Sequence, residues 1–578
     1  MKVRTAGITD EQVLDYTWHD DGLSWTLKSA KQQRSQEARY TLTPEGDTTR
    51  VRFELTIDPL IPLPGFLLKR VTNLNSSRNS VVRCVVNMKG ALPQRQSTFA
   101  GVRESIEECT YQMQATTDWS KTVRVEVRGD DVVGHAGNVI PRMLADNVGL
   151  TSGLSAVLSR PEVLHDRGAV MRDVAVSIAG GAENLAGTAA LRDQGRVFGP
   201  VASVPTMWRS LNEIDDAGLV GVTAVRNTVR ERVWALTEAR HGRIPPSRTC
   251  YGDLGEVIVI RIDATLTQCH SDKQCAAGNF KGGYGHHPLT AWCDNSGELL
   301  AIIPRKGNAG SNTAADHIAI IDAAIAAIPA KYRRNLLITI DGAGCSHAVV
   351  EHLSTLNARA GWSVAYSVGF DLGERARVAI GQMPAAGWDA ALDAAGAARE
   401  DAQVAELTGL LREGPDGDRL AGWPAGMRIL VRREEIEHGH QLSLFEQING
   451  YRYQVTATNT RGGQVQRLEA RHRVQARVEG FIRCGKDTGL AKWPSNSFAI
   501  NTAWVTAAAI AIDLLCWMRL LLLDGPLAKA EPATLRYRLL HAAVRLVKRA
   551  RHLILRIPET WPWAQQFADA INRVRAIP

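Results

Sequence analysis

The chain has 578 residues, enough for several domains with sizeable cores. Its 68 Lys and Arg residues outnumber its 60 Asp and Glu residues, a modest excess that allows a polyanionic partner and does not establish one. The nine cysteines are odd in number and scattered, which argues against a disulfide framework and suits a reducing cytoplasm. The first residues contain no apolar core of a secretory signal, so we expect a cytoplasmic protein.

Residues 1–70 alternate apolar and polar positions, as β-strands do. We predict strands over residues 16–18, 23–27, 38–42 and 51–57. Residues 40–47 (YTLTPEGD) and 61–66 (IPLPGF) resemble the middle of a helix-grip domain of the START-like, polyketide-cyclase type. The helices that open and close such a domain are missing, so we expect a truncated and inert fragment. Residues 71–112 are predicted to be a linker.

Residues 113–250 are predicted to be helical and to bind DNA. One helical face carries Val139, Met143, Leu144 and Val148. Gly149 then breaks the helix, so residues 144–151 (LADNVGLT) are spaced like a helix-turn-helix motif.

A second candidate for DNA contact lies at residues 203–211 (SVPTMWRSL). There Thr206 could cap a helix that carries Arg209. The alternative for both segments is a plain pair of helices packed on a core.

Residues 251–370 contain alternating strands and helices. Strands are predicted over residues 257–262, 336–340 and 362–368, a hairpin over 289–304, and helices from about residues 313 and 349. Three strands, a helix, a strand, a helix and a strand is the order of a ribonuclease-H-like α/β fold. That fold places Asp263 at the middle of the first strand and Asp341 at the end of the fourth, side by side.

The remainder of the chain divides into three segments. Residues 371–465 are predicted to be a mainly β insertion, and residues 466–530 to complete the α/β core. Residues 531–578 are predicted to form a helical C-terminus. Within them, residues 535–551 are expected to form a basic amphipathic helix that faces either DNA or solvent.

One long apolar stretch covers residues 498–523. It contains Asp513 and Arg519, and both are costly in lipid. We therefore expect a buried helix of a large core, and no membrane partner.

Glu479 lies on a predicted helix, and polar residues share its face. His472, Gln475 and Lys486 are seven before, four before and seven after Glu479, and seven residues make about two helical turns. The apolar stripe that would pack this helix on the sheet consists of Val474, Val478 and Ile482. The alternative is a solvated charged face.

Two strand-end aspartates and a helical glutamate can hold two divalent metal ions, and two such ions can drive phosphodiester chemistry. This combination favours catalysis at Asp263, Asp341 and Glu479. Taken alone, each aspartate is equally well explained as a cap of the turn after its strand.

The spacing Glu479-x6-Lys486 matches the second half of the signature Y-x2-R-x3-E-x6-K of bacterial insertion-sequence DDE transposases. His472 stands where that signature has Tyr, and Gln475 where it has Arg. The chain resembles insertion sequence family 1380 from about residue 113 to its end, in the segments 262–266 (IDATL), 281–288 (KGGYGHHP), 307–317 (GNAGSNTAADH), 485–489 (GKDTG) and 522–528 (LLDGPLA).

The resemblance implies a DDE transposase that cleaves the inverted-repeat ends of its element and transfers the 3′-OH ends to target DNA. It assigns catalysis and metal binding to Asp263, Asp341 and Glu479, with two Mg²⁺ ions for which Mn²⁺ can substitute. DNA contacts are expected from Lys486, Gln475, His472, Arg209, Asn308 and Asn312. The partner is double-stranded DNA, on which we expect a homodimer.

Two other classes of function stay open from the sequence. A catalytically inactive, DNA-binding transposase remnant would lack cutting, and a lipid- or ligand-binding protein would act through residues 1–70. A zinc site at Cys269, His270, Cys275 and residues 286–287 is disfavoured, because no C-x2-C pair exists and the spacing is irregular.

Overall fold

Two compact units make up the chain, Met1–Arg128 and Gly129–Pro578. The computed structural model describes residues 2–5, 8–11, 13–19, 22–29, 33–45, 48–59, 80–88, 123–127, 130–269, 272–279, 281–310, 313–371, 373–413, 417–436, 446 and 449–578.

The first unit is antiparallel β-structure. Its strands are β1 (Lys2–Thr5), β2 (Ile8–Glu11), β3 (Val13–His19), β4 (Gly22–Ser29), β5 (Gln33–Glu45), β6 (Thr48–Pro59) and β7 (Ser80–Met88). Strands β1 and β2 form a hairpin, and β3 to β7 form a sheet in sequence order. The four strands predicted in residues 1–70 are confirmed, and the resemblance to a helix-grip domain stays a prediction.

The predicted linker over residues 71–112 is wrong at β7, which pairs with β6 from Ile57 opposite Ser80 onward. The sequence of β7, SVVRCVVNM, is rich in β-branched valine, which favours a strand. The other residues of the predicted linker lie outside those that the structure describes.

The second unit begins with a helical region, as predicted. After β8 (Val132–Val133), its helices are α1 (Val139–Asn147), α2 (Leu150–Val157), α3 (Arg167–Ala179), α4 (Ala189–Arg192), α5 (Gly195–Phe198), α6 (Val204–Asn212) and α7 (Asp216–His241), with 3-10 turns at Ala136–Asn138 and Leu185–Thr188. Gly149, with a φ of 86°, separates α1 from α2. A left-handed residue at this position is what glycine supplies at the end of a helix.

The predicted cap at Thr206 is wrong, because α6 begins earlier. Its N-cap is Ser203, and Pro205 lies in the first turn, where a proline costs no hydrogen bond. Thr206 therefore lies inside the helix, and its Oγ1 accepts a hydrogen bond of 3.3 Å from Nη2 of Arg209.

A nine-stranded mixed sheet dominates the second unit. The described strands of this region are β9 (Arg248–Thr249), β10 (Gly252–Asp253), β11 (Ile258–Ala264), β12 (Thr267–Gln268), β13 (Ala277–Gly278), β14 (Tyr284–His286), β15 (Leu289–Cys293), β16 (Leu299–Ile303), β17 (Asn335–Ile340), β18 (Ser363–Phe370), β19 (Asp389–Leu392), β20 (Ala398–Glu406), β21 (Arg428–Glu435) and β22 (Tyr451–Thr458). The short strands β9, β10, β12, β13 and β14 form two small separate sheets. The order in the large sheet is β16-β15-β11-β17-β18-β22-β21-β20-β19. Strands β11, β17 and β18 are parallel to one another, and the other pairs are antiparallel.

Helices connect the parallel strands and flank the later ones. They are α8 (Ala314–Ala327), α9 (His347–Asn357), α10 (Glu374–Gln382) and α11 (Thr408–Arg412), with 3-10 turns at Ala330–Tyr332, Gly342–Gly344 and Ala385–Gly387. The strands and helices predicted over residues 251–370 are present. The strands of the predicted β insertion, 371–465, extend the same sheet.

The last segment returns to helices before ending in a hairpin and a helix. Its elements are α12 (Val465–Arg473), a 3-10 turn (Val474–Ala476), α13 (Arg477–Gly485), a π-turn (Lys486–Leu490), α14 (Phe498–Leu521), a 3-10 turn (Gly525–Lys529), α15 (Pro532–Leu535), a π-turn (Arg536–Leu540), β23 (Val544–Arg549), β24 (His552–Arg556) and α16 (Ala564–Arg575).

Helix α14 is long and apolar enough to cross a membrane, with a mean hydropathy of 1.6, but 78% of its apolar window is buried in the protein. Its buried Asp513 pairs with Arg226 and Arg230 of α7. The prediction of a buried helix is confirmed.

The prediction of a wholly helical C-terminus is wrong, because residues 535–551 do not form one helix. Strands β23 and β24 form an antiparallel hairpin, and β23 also pairs with β8. In β23 the side chains of Val544 and Leu546 are buried and that of Arg545 is exposed, a period of two that suits a strand. Ala550 turns the chain with a φ of 49°.

Candidate active site

Asp263 and Asp341 lie side by side at one edge of the sheet. Strands β11 and β17 are parallel, with Ile262 opposite Ile340, so the next residue on each strand is an aspartate. The Thr290 hydroxyl of β15 donates a 2.7 Å hydrogen bond to the backbone carbonyl of Asp263. Three neighbouring strands therefore fix the backbone at this edge.

The turn after Asp341 approaches β18 closely. A Cβ atom at Gly369 would lie 2.4 Å from the backbone nitrogen of Gly342, a distance that no side chain tolerates. The backbone N–H of Gly344 donates a 3.2 Å hydrogen bond to the carbonyl of Asp341. Glycine at 369 thus lets the turn that carries Asp341 lie against the sheet.

The helix of Glu479 is fastened to the sheet by Gln475. Nε2 of Gln475 donates a 2.9 Å hydrogen bond to the Ile262 carbonyl, and its Oε1 accepts one from the Thr339 hydroxyl. One side chain therefore ties this helix to β11 and β17 at the residue before Asp263.

His472 makes a similar connection between the preceding helix, α12, and the neighbouring strand β18. Its Nδ1 lies 2.9 Å from the hydroxyl of Ser367 in β18. Burial, followed by the nearby charge of Arg432, lowers the pKa of His472 to about 4, so the ring is neutral near pH 7.

The side chains of His472 and Gln475 are only 4% and 7% exposed and pack inside the protein, and the DNA contacts expected from them stay predictions. Residues 474–476 form a 3-10 turn between α12 and α13. At about 120° per residue instead of about 100°, that turn shifts the helical phase by roughly 60°. Glu479 consequently points to solvent while Gln475 points into the protein.

The apolar side of α13 packs on β15. Val478 and Ile482 are buried, as predicted, and Val474 is half-buried. A Cβ atom at Gly485 would lie 2.8 Å from Cη2 of Trp292 in β15. The helix therefore approaches the sheet as closely as glycine allows.

Asp263 is the carboxylate most perturbed by this arrangement. Burial, and after it the charge of Asp341 and a smaller contribution from Glu479, raise the pKa of Asp263 to about 7, and Lys281 opposes the shift. Asp341 and Glu479 are both exposed. The three acids thus share one electrostatic environment, with Asp263 at its interior.

Two lysines, Lys281 and Lys486, interact electrostatically with Asp263. Burial, and after it the charge of Lys281, lower the pKa of Lys486, whereas Asp263 acts to raise it. The sequence predicts Lys486 near DNA, on the face of Glu479, whereas no role was predicted for Lys281. Its position in the segment 281–288, already singled out for the resemblance, was the available signal.

The other candidates occupy varied environments. Asn308 and Arg209 are exposed, so their DNA contacts stay predictions, and Asn312 lies outside the described residues. His317 is buried, and its Nδ1 donates a 3.0 Å hydrogen bond to the Thr313 carbonyl. His286 stacks on Trp493 with ring centroids 4.4 Å apart, which is a packing role.

Among the described residues, no group of three or more His, Cys, Asp or Glu side chains is arranged to hold a metal ion. The chemistry of the three acids nevertheless fits a hard divalent cation, which prefers carboxylate oxygens. A cation near Asp263 would also relieve the repulsion that raises its pKa.

Replacing Asp263 by Asn should stabilise the metal-free protein at about pH 8. The folded-state pKa of about 7 exceeds the usual 3.8, so the folded state resists ionisation of this carboxyl. Ionisation of Asp263 therefore lowers the free energy of unfolding of the wild type. This loss is absent below about pH 4, grows as the pH rises to about 7 and is constant above that pH, where it reaches about 4 kcal/mol. Thermal unfolding in a chelator should therefore show a higher melting temperature for the variant than for the wild type, with a larger difference at about pH 8 than at about pH 5.

Added Mg²⁺ supplies the control for this prediction. It should stabilise the wild type at about pH 8 and leave Asp263→Asn unchanged. An equal difference between the two proteins at both pH values would show that Asp263 does not titrate as proposed.

Replacing Gln475 by Leu should slow cleavage without weakening DNA binding. Leu is of similar size but makes neither the hydrogen bond to the Ile262 carbonyl nor the one from the Thr339 hydroxyl, so the helix of Glu479 loses its alignment. A misplacement of about 1 Å lowers rates by about 10²-fold. Cleavage rates and DNA anisotropy measured on the same preparation separate this role from a DNA contact, which would reduce affinity instead.

The comparisons with known proteins identify a family for most of the chain. The model of the family Transposase DDE domain group 1 matches residues 115–578. Among solved structures, the cryo-EM structure of the piggyBac transposase synaptic complex with hairpin DNA is similar at 10% identity, covering 70% of this chain and 80% of that chain, with a TM-score of 0.33. That TM-score is too low to establish a shared fold. None of the curated protein sequences matches this chain.

Proposed function

Because the chain belongs to the family Transposase DDE domain group 1, we propose that it is a transposase that acts on the ends of its own insertion sequence. It binds the inverted repeats, hydrolyses a phosphodiester bond at each end and transfers the freed 3′-OH to target DNA. We further propose a ribonuclease-H-like core, membership of insertion sequence family 1380, action in the cytoplasm and a homodimer on DNA. The observation that carries the proposal is geometric: the parallel register of β11 and β17 places Asp263 beside Asp341, and the hydrogen bonds of Gln475 hold the helix of Glu479 against both strands.

Asp263, Asp341 and Glu479 are the residues that would hold Mg²⁺, or Mn²⁺ in its place. When bound, the metal supplies positive charge for the attacking water and for the 3′ oxygen that leaves phosphorus. Asp263 must be ionised to take part, so metal affinity should increase as the pH rises through about 7.

Other side chains supply positive charge for the reacting phosphate or hold the acids in place. Lys486 and Lys281 provide positive charge near Asp263 that complements the phosphate. Gln475 holds the helix of Glu479 against the strands of the two aspartates, and His472 ties the preceding helix, α12, to the neighbouring strand β18. In the hydrolysis, a water oxygen bonds to phosphorus, the 3′ oxygen departs and takes up a proton, and a 5′-phosphate remains.

The test is cleavage of labelled duplexes from the ends of the element. The full-length chain is incubated with each duplex in Mg²⁺ or in a chelator, beside a duplex of shuffled sequence. Cuts at the element boundary that need the metal and leave a 3′-OH support the proposal. Cuts at random positions on both duplexes would indicate a contaminating nuclease and count against it.

A DNA-binding protein without cleavage activity is the second candidate. It is favoured by two departures from the signature Y-x2-R-x3-E-x6-K, His472 in place of Tyr and Gln475 in place of Arg. Specific binding of the end duplex without cutting, in Mg²⁺ and in Mn²⁺, would select this candidate.

A further inference from the structure

The C-terminal hairpin of β23 and β24 has an unusual charge distribution. Residues 532–558 contain seven Lys and Arg residues and no Asp or Glu. The hairpin's own cations, all exposed, are Arg545, Lys548, Arg549, Arg551 and Arg556. In the part of the chain that the structure describes, none of these five has an ion pair or hydrogen bond from its side chain.

The pairing register places two arginines opposite each other. Arg545 lies directly across from Arg556, and Arg549 lies across from His552. Like charges at directly opposed positions of an antiparallel pair are destabilising. These two pairs lie on the same face, because 545 and 549 are four residues apart in a strand of period two. The face therefore carries a repulsion that an anionic partner would remove.

The hairpin is held rigidly, so its charges form a fixed array. Leu546 is buried, and its backbone N–H donates a 2.7 Å hydrogen bond to the Asp131 carbonyl. Val544 pairs with Val133 of β8. At about 3.3 Å per residue, Arg545 and Arg549 are held roughly 13 Å apart along the strand.

The base of the hairpin connects to the candidate active site. Nη1 of Arg536, just before the hairpin, donates a 3.1 Å hydrogen bond to Asp487, the residue after Lys486. On the other side of the hairpin, Nε1 of Trp561 donates a 3.0 Å hydrogen bond to the backbone carbonyl of Arg538. Both ends of the hairpin are thus anchored to structured parts of the same unit.

We infer that this basic hairpin, residues 544–556, binds the phosphate backbone of duplex DNA without reading its sequence. The inference rests on the proposed function, because it takes the substrate duplex as the partner. Duplex DNA carries one negative charge per about 1.7 Å of its axis, so a rigid row of arginines meets several phosphates at once. The register, charge and rigidity fit such a polyanion.

The test replaces Arg545, Arg549, Arg551 and Arg556 by Gln together, in a Glu479→Gln background that prevents cutting. Anisotropy of a labelled duplex of unrelated sequence is measured between about 50 and about 200 mM salt. Loss of four phosphate contacts should reduce the slope of log affinity against log salt by about 3 to 4 and lower affinity at least tenfold at about 100 mM salt. The control replaces four exposed cations elsewhere, Arg334, Arg359, Arg452 and Lys529, by Gln.

An unchanged slope in the hairpin variant, or an equal loss in the control variant, would overturn the inference. Binding of anionic lipid vesicles that depends on the hairpin, without a matching effect on duplex, would overturn it in favour of a membrane surface. Thermal unfolding without DNA checks folding: removing the Arg545–Arg556 repulsion should leave the melting temperature equal or higher.

If the protein with Glu479 intact cuts its end duplexes while the slope is unchanged, only the hairpin inference fails. If the hairpin governs DNA affinity but that protein cuts nothing, only the proposed cleavage fails.

Discussion

Replacing Glu479 by Gln should reduce metal-dependent cleavage of the element's ends by about 10³-fold or more, and Asp341→Asn should do the same. Removing one member of a catalytic unit costs about as much as removing the whole unit. Both side chains are exposed, so neither change should disturb folding. The measurement is the single-turnover rate of cutting with enzyme in excess over labelled end duplex.

The matched control is Glu351→Gln, an exposed glutamate on α9. It should cut at the wild-type rate. DNA affinity, measured by anisotropy, should stay within about twofold for all three variants, because the acids act on the reacting phosphate and not on binding of the duplex as a whole. Cleavage by Glu479→Gln at the rate of the control would remove this glutamate from the active site.

Replacing Asp513 by Asn should cost about 3 to 5 kcal/mol of stability, the expected penalty for breaking a buried ion pair. Oδ2 of Asp513 accepts hydrogen bonds of 3.0 Å from Arg226 and Arg230, and all three side chains are buried. Arg230 also donates a 2.9 Å hydrogen bond to Glu298. Without Asp513, two buried arginines would share a single carboxylate.

Glu298 is held in its ionised form by this cluster. Burial acts to raise its pKa, but the charge of Arg230 together with hydrogen bonds that include those from Trp517 and Trp234 outweighs burial and holds the pKa of Glu298 below its usual value. Nε1 of Trp234 and Nε1 of Trp517 each donate a 2.7 Å hydrogen bond to the same carboxylate. The cluster therefore joins α7, α14 and the β15–β16 turn.

The control for Asp513 is Asp524→Asn. Asp524 pairs with Arg240 at 2.6 Å but is 60% exposed, so its replacement should cost less than about 1 kcal/mol. Denaturant unfolding monitored by tryptophan fluorescence compares the two variants. Equal unfolding midpoints would mean that the buried cluster contributes no more than a surface ion pair.

The sequence predicted the parts of the fold that depend on local pattern. Strands β11 and β17 are mainly apolar runs, and Asp263 and Asp341 were singled out because they lie at the ends of those runs. The α8 helix and the end of α1 at Gly149 were marked by periodicity and by glycine.

Other features depended on information that local pattern does not carry. The 3-10 turn at residues 474–476 shifts the helical phase by roughly 60°. Gln475 therefore points into the protein and does not share the exposed face of Glu479. The hairpin at residues 544–556 is stabilised by pairing with Val132–Val133, more than four hundred residues earlier in the chain. Lys281 reaches the acids only through the tertiary fold.

The most direct test of the central claim is to map where a bound metal lies on the chain. Fe²⁺ is substituted for Mg²⁺, ascorbate and peroxide are added to produce hydroxyl radicals at the metal, and the sites of backbone scission are identified by mass spectrometry. The account predicts scission near residues 263, 341 and 479 together, suppressed by excess Mg²⁺ and lost in Asp263→Asn. Scission confined to other segments, in a protein that still cuts its end duplexes, would contradict a metal site formed by these three carboxylates.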